Sequence, residues 1–237
     1  MRILKKLFAI NDGYNEEVKK YAVIDVLIAI LLYVGYFFAM IVCGAIDKFA
    51  LMDGMPRKLL GMAINILFVL ITICLIKLRN QGIETVGLIG GRVKLGFLLG
   101  GILALILFTC NCVLNIAFGD AKLADSEIII LLLFDYLCVG AAEEIIFRGF
   151  IMSRIYPIFR NNFACVIVTG LLFVAMHFPY RLMVGMTFSG LITNYRYLAD
   201  LFITHCVFSY IYLKSKSLYS TILPHWMSNF AHGILIF

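Results

Sequence analysis

Within an apolar run that begins near Ile128, the stretch Gly140 to Phe150 (GAAEEIIFRGF) carries three formal charges, Glu143, Glu144 and Arg148. On a helix Glu144 and Arg148 are i,i+4 neighbours on one face, whereas Glu143 is turned about 100° away and can meet a different partner. At the centre of a lipid-facing helix each charge costs roughly 2.5–3.5 kcal/mol on insertion scales, so three together cost on the order of 8–10 kcal/mol against hydrocarbon. A fold for this chain must therefore bury the segment in protein or line a wet cavity with it.

The membrane in that reasoning comes from composition. Of 237 residues 63% are hydrophobic and 14% charged, and apolar runs of about 20 residues recur, the pattern of an all-α polytopic membrane bundle. The alternation of an outer-membrane barrel is missing. A net charge of +6 would suggest nucleic acid in a soluble chain. Here Lys and Arg stand at the ends of the runs, where they orient helices, so membrane lipid is the expected surroundings and nucleic acid is not an expected partner. The seven cysteines (Cys43, Cys74, Cys110, Cys112, Cys138, Cys165, Cys206) match neither a disulfide framework nor a zinc knuckle and read as reduced core residues.

Eight apolar runs cover about residues 21–45, 59–76, 95–118, 128–152, 163–178, 182–192, 198–213 and 218–237. About eight transmembrane helices are expected, the sixth run being only marginally long enough to span. Residues 1–20 are charged throughout and read as an interfacial or cytoplasmic segment, not a removable signal peptide. Basic residues favour the N-terminus, the loop 77–94 and the turn 154–160 as cytoplasmic, with the acidic loop 119–127 opposite. This implies an integral protein of the plasma membrane with its N-terminus inside. Without repeats or linkers, residues 1–237 read as one transmembrane domain.

The polar residues left inside the runs converge. Counted from the turn near Pro157 to Arg160, Glu143 lies about 16 residues before and His177 about 18 after, roughly 24 and 27 Å along an antiparallel hairpin. The two thus share a depth, reachable by water from the inside if the turn is cytoplasmic. The last run adds HWMSN, in which His225 and Asn229 share a helix face that His232 continues. Pro224 before it suits a helix start or kink. Blander readings stand beside these: a structural ion triad for Glu143, Glu144 and Arg148, a hydrogen-bonded packing role for His205, capping, pairing or cavity-rim roles for Asp25 and Asp135, and close helix packing for Gly96 and Gly100.

Taken together, EExxxR at Glu143 to Arg148 followed by Gly149, FxxxH at Phe173 to His177 and HxxxN at His225 to Asn229 closely resemble the CAAX-protease and bacteriocin-processing (CPBP, or Abi) family, which includes the type II CAAX prenyl endopeptidases. The resemblance covers residues 128–237. It implies an eight-helix intramembrane endopeptidase in which Glu143 activates a water together with His177, His225 and Asn229 hold the oxyanion, and Glu144 and Arg148 organise the site. The substrate would be a peptide or a lipidated protein. Zinc held by Glu143, His177 and His225 is the alternative to a glutamate-dependent site without cofactor. The ligands lack a compact HExxH arrangement and the amide of Asn229 suits an oxyanion donor, which favours the metal-free form. Thr204, His205 and Ser209 stand where the family often has small glycine-type residues, and His232 is an extra polar residue near the site. Two other functions compete: a non-catalytic bacteriocin-immunity or regulatory protein that binds a membrane partner, and a proton-coupled transporter relaying through Glu143 and His177, for which broken-helix repeats are missing.

Overall fold

The computed structural model describes residues 10–236; the expectations for residues 1–9 lie outside them. The short helix α1 (Asp12–Val18) is capped by Asn11, whose side chain accepts from the backbone of Tyr14. The long apolar helices α2 (Val23–Lys48) and α3 (Gly54–Leu78) follow. A single 3₁₀ turn at Ile83–Val86 leads to α4 (Val93–Phe118), which widens into a π-helical turn at Thr109–Val113. Helix α5 (Ser126–Glu143) continues without a break as a π-helix over Glu144–Ile151. After the turn come α6 (Asn162–Met176), α7 (Phe178–Met183), α8 (Phe188–Thr193), α9 (Tyr195–Ser215) and α10 (Tyr219–Gly233). Two residue pairs, Lys122 with Ile236 and Leu123 with Leu235, form one short antiparallel ladder, a minor departure from an all-α expectation.

The protein is a membrane helix bundle. Four helices, Val23–Lys48, Gly54–Leu78, Val93–Phe118 and Asn162–Met183, are long and apolar enough to cross a bilayer. Their outer faces carry large apolar side chains in the open, Leu31 at 70% and Leu105 at 67% exposure, as lipid contact requires and water would penalise. Cys74 and Cys110 also stand exposed on this surface, so they are not core residues; all seven cysteines are free thiols.

Hydrogen bonds identify which ends of the helices lie together. Asn11 N–H donates to Leu213 O, Arg92 N–H to Ser215 O and Leu218 N–H to Gly87 O, while Lys216 meets Glu17 at 2.5 Å. Arg154, fully buried, binds Gln81 and Thr85, each at 2.8 Å, between the rings of Tyr21 and Phe150. The N-terminal helix, the loop 79–92, the turn after α5 and the turn after α9 therefore form one basic end. At the other end Arg57 pairs with Asp47 and the 122–123 ladder closes on the last residues.

The sixth apolar run does not cross. It is divided between α7 and α8, six residues each and so about 9 Å long, with Gly185 at φ 105 between them and the Thr187 hydroxyl capping α8. Both stay at the end opposite the basic one. As a result α1 and the 235–236 strand lie at opposite ends, which requires an odd number of crossings where eight would bring them together. Helix α6 ends at Met176, and Pro179 sits at the start of α7, where its missing N–H has no helical acceptor to lose. Pro224 sits buried within α10 and starts nothing.

Gly96 and Gly100 do serve close packing. A Cβ on Gly100 would lie 2.3 Å from the Tyr219 carbonyl oxygen, and one on Gly96 2.4 Å from Ser217 Oγ, so α4 meets the start of α10 backbone to backbone. Asp25 accepts from its own helix start at Ala22 N and from Arg79 and Gln81, a capping and pairing role.

Candidate active site

Four elements build one cavity. Helix α5 turns into its π-helix one residue after Glu143; such a turn holds an extra residue and displaces the side chains that follow, a geometry common at functional sites. Every residue from Glu144 to Ile151 is buried. Glu144, with no exposure, pairs with Arg148, itself 1% exposed. The guanidinium of Arg148 also lies 5.5 Å from the ring centre of Phe173 on α6 and 5.3 Å from that of Phe208 on α9, flanked by two aromatic rings. The i,i+4 pairing read from sequence thus survives the change of helix type.

Across the bundle, α10 brings His225 to both glutamates. Its Nδ1 is 2.7 Å from Glu144 Oε1 and its Nε2 is 3.6 Å from Glu143 Oε2. Glu144 is therefore not a self-contained structural partner of Arg148: it is shared between Arg148 on its own helix and His225 on the last. Gly140 permits the approach, its α-carbon facing Trp226 N, which a Cβ would reach at 3.3 Å. Trp226 in turn donates its ring N–H to Leu133 O at 2.9 Å, locking α10 against α5 beside the site.

His177 ends α6. Its Nδ1 lies 2.8 Å from the Phe173 carbonyl, and since a carbonyl only accepts, Nδ1 carries the hydrogen and Nε2 of the neutral ring keeps its lone pair. Phe173 sets this arrangement twice over, through that carbonyl and through its ring, which meets His177 edge-on at 5.0 Å.

Glu143, Arg148, His177, His225 and Asn229 line a cavity of about 430 Å³ together with Phe173. Five of the six residues singled out from sequence thus share its wall, and Glu144 stands buried behind it. Tyr197, Asp200 and Thr204 of α9 and His232 of α10 also line it. Tyr197 and Asp200 went unrecognised in the sequence because they lie at the polar start of a helix, where such residues are ordinary; their spacing with Thr204 and Phe208 on one helical face was the available signal. Asp200 and His232, both exposed, mark the mouth, which faces the end opposite the basic one. Water therefore enters from the side away from the Arg154 turn, contrary to the expectation that it comes from the turn's side.

His205 packs against Phe173 with ring centres 5.5 Å apart, but both its ring nitrogens lack a hydrogen-bond partner among the described residues, so its packing role does not include the expected hydrogen bond. Asp135 meets Lys58 at 3.4 Å on the wall of a neighbouring cavity. Among the described residues no group of three or more His, Cys, Asp or Glu side chains is gathered as a metal site would need; of the expected zinc ligands, Glu143 and His225 lie 3.6 Å apart.

Residues 125–231 match the family model described as type II CAAX prenyl endopeptidase Rce1-like. No curated protein and no solved structure matches the chain.

Proposed function

Through residues 125–231 the chain belongs to the CAAX-protease (CPBP) family, and from that premise we propose that it is a membrane-embedded endopeptidase that hydrolyses a peptide bond with a water activated by Glu143 and His177. The observation that carries this reading is the common cavity of Glu143, His177, His225 and Asn229. A water between the Glu143 carboxylate and the free Nε2 of His177 has two acceptors for its hydrogens. As it attacks the carbonyl carbon, its proton passes to Glu143 and the carbonyl oxygen becomes an oxyanion. The Asn229 amide and His225 Nε2–H then donate to that oxygen. Collapse breaks the C–N bond, and the proton on Glu143 goes to the leaving amine.

His225 donates from Nε2 as well as Nδ1 only when it carries both hydrogens. With Glu143 and Glu144 ionised and Arg148 charged, a protonated His225 makes the four groups neutral together, the state that a low-dielectric site favours. Glu144 and Arg148 then position His225. The metal-free form is the one proposed, because among the described residues no three His, Cys, Asp or Glu side chains are gathered as a metal site needs and the amide of Asn229 suits an oxyanion donor. Chelation that removes bound metal and activity together would support zinc on Glu143, His177 and His225 instead.

The substrate is proposed to be a peptide or a lipidated protein end that reaches the membrane, and the host membrane to be the plasma membrane with the basic end, and so the N-terminus, in the cytoplasm. A comparison of membrane-protein and peptide termini between wild-type cells and a Glu143→Gln strain tests the enzyme: new termini should vanish in the variant. Unchanged termini and an unchanged phenotype would favour a non-catalytic immunity or regulatory protein.

A further inference from the structure

Beside the catalytic cavity lies a larger one of about 620 Å³, and its charges do not balance. Arg57 is held by both oxygens of Asp47, to which Tyr180 also donates at 2.7 Å. Lys58 faces Asp135 at 3.4 Å. Arg181, the third cation on the wall, has no carboxylate within ion-pair distance among the described residues. It lies over the ring of Tyr197 at 4.0 Å, and Tyr197 belongs to the wall of the catalytic cavity. Two cation–carboxylate pairs and one cation leave a net charge of +1 on the wall of a recess at the end of the bundle opposite the basic one, and a net positive recess favours an incoming anion.

The two cavities are neighbours in a defined direction. Val139 lines both. On α5 the residues Asp135, Val139 and Glu143 are spaced i, i+4, i+8 and form one stripe running from the second cavity to the catalytic carboxylate. On the facing side Arg181 follows His177 by four residues across the α6–α7 junction. Because α5 and α6 are antiparallel, Val139 and Arg181 are displaced from Glu143 and His177 toward the same end, by about 6 Å of helix rise each. An extended peptide covers that rise in about two residues.

Resting on the endopeptidase reading, we infer that this second cavity is a specificity subsite in which Arg181 binds a carboxylate of the substrate peptide about two residues from the bond that is cut. A planar guanidinium can take a carboxylate through two parallel N–H donors while its face stays on Tyr197. The carboxylate can come from the peptide's own C-terminus or from an Asp or Glu side chain.

The test uses full-length protein in liposomes and labelled pentapeptides of alanine, leucine and valine in three forms: free acid, C-terminal amide, and the amide carrying one Asp. Cleavage of the free acid or the Asp amide should show a KM about 10- to 100-fold below that of the plain amide. Arg181→Gln should erase this difference by raising KM for the carboxylate peptide alone, with kcat and the plain amide unchanged, and Arg181→Lys should restore part of it. The better of the two carboxylate peptides identifies the source. Equal handling of acid and amide by the wild type, or an equal loss for all peptides in Arg181→Gln, overturns the inference. If no peptide is cut, equilibrium binding of the same labelled peptides to wild type and Arg181→Gln still decides it: carboxylate-dependent binding lost in the variant upholds the subsite while the hydrolytic reading falls, and binding indifferent to the carboxylate sinks the subsite.

Discussion

His225 Nδ1 lies 2.7 Å from Glu144 Oε1, although 81 residues separate them. This contact joins the last helix to a carboxylate that shows no surface at all, and the same oxygen receives Arg148. One fully enclosed anion thereby orients two cationic or polarisable groups that do face the cavity, and the His225 ring is aimed so that its other nitrogen meets Glu143. The pairing of Glu144 and Arg148 is thus part of the site and not a separate device for burying charge.

Glu144→Gln should lower activity and stability together. Removing one partner of a buried pair leaves the other uncompensated, at about 3–5 kcal/mol, and a misaimed His225 should lower kcat by about 10- to 100-fold. The double replacement Glu144→Leu with Arg148→Met separates the two effects. Thermal unfolding in detergent should return toward the wild-type midpoint, because no lone charge remains, while activity stays lost. A double variant as active as wild type would mean that the pair only fills space.

His177→Gln should act differently. The side chain is half-buried at a helix end and makes no ion pair among the described residues, so the fold should tolerate the change within about 1 kcal/mol, whereas loss of the Nε2 acceptor should lower kcat by about 10²–10⁴-fold with KM little altered. Measuring kcat and KM separately with one cleaved peptide checks this. A rise confined to KM would assign His177 to substrate binding and leave water activation to Glu143 alone.

The parts of this site that were legible in the sequence are those set by spacing within one helix. Glu144 with Arg148 and His225 with Asn229 each repeat at four residues, and the equal depth of Glu143 and His177 follows from counting along a hairpin. Contacts between helices left no such trace: nothing local joins His225 to Glu144, or Arg181 to Tyr197. The π-helix from Glu144 to Ile151 was equally silent, because its composition is that of an ordinary apolar helix and only surrounding packing selects the wider turn. The run 182–192 failed for another reason. Hydropathy counts Met183 to Met186 as apolar, yet the backbone reverses at Gly185, whose φ of 105 an apolar count cannot register.

Replacement of Gly100 tests how the catalytic end of α10 is positioned. A Cβ there would come within 2.3 Å of the Tyr219 carbonyl oxygen, and backbone cannot yield as a flexible side chain does; at the adjacent Gly101 nothing lies within 4 Å. Gly100→Ala should therefore destabilise by about 1–3 kcal/mol as α4 and α10 are forced apart, and it should reduce activity because α10 carries His225 and Asn229. Gly101→Ala, on the lipid side, should be neutral or slightly stabilising, since alanine loses less chain freedom than glycine in a helix. Equal thermal midpoints for the two variants would show that the α4–α10 contact gives way freely.

The opposed ends of the bundle predict which compartment the catalytic cavity meets. Lys94 is exposed at the basic end, Lys122 is exposed in the short ladder just past the far end of α4, and Asp200 is exposed at the cavity mouth. Excess Lys and Arg favour the cytoplasmic side, so with the basic end inside, single cysteines replacing Lys122 or Asp200 should react with a membrane-impermeant maleimide added to right-side-out vesicles. A cysteine replacing Lys94 should react only after permeabilisation. The measurement needs a background in which the seven native cysteines are replaced, because Cys74 and Cys110 are exposed. Because α4 is long and apolar enough to cross a bilayer, Lys94 and Lys122 should label from opposite faces, and labelling of both from one face would refute the traversal of α4. Reversed labelling, with Lys94 outside, would leave the fold intact and turn the cavity toward the cytoplasm, so that the substrate would have to be an intracellular chain end and not a peptide on the outer face.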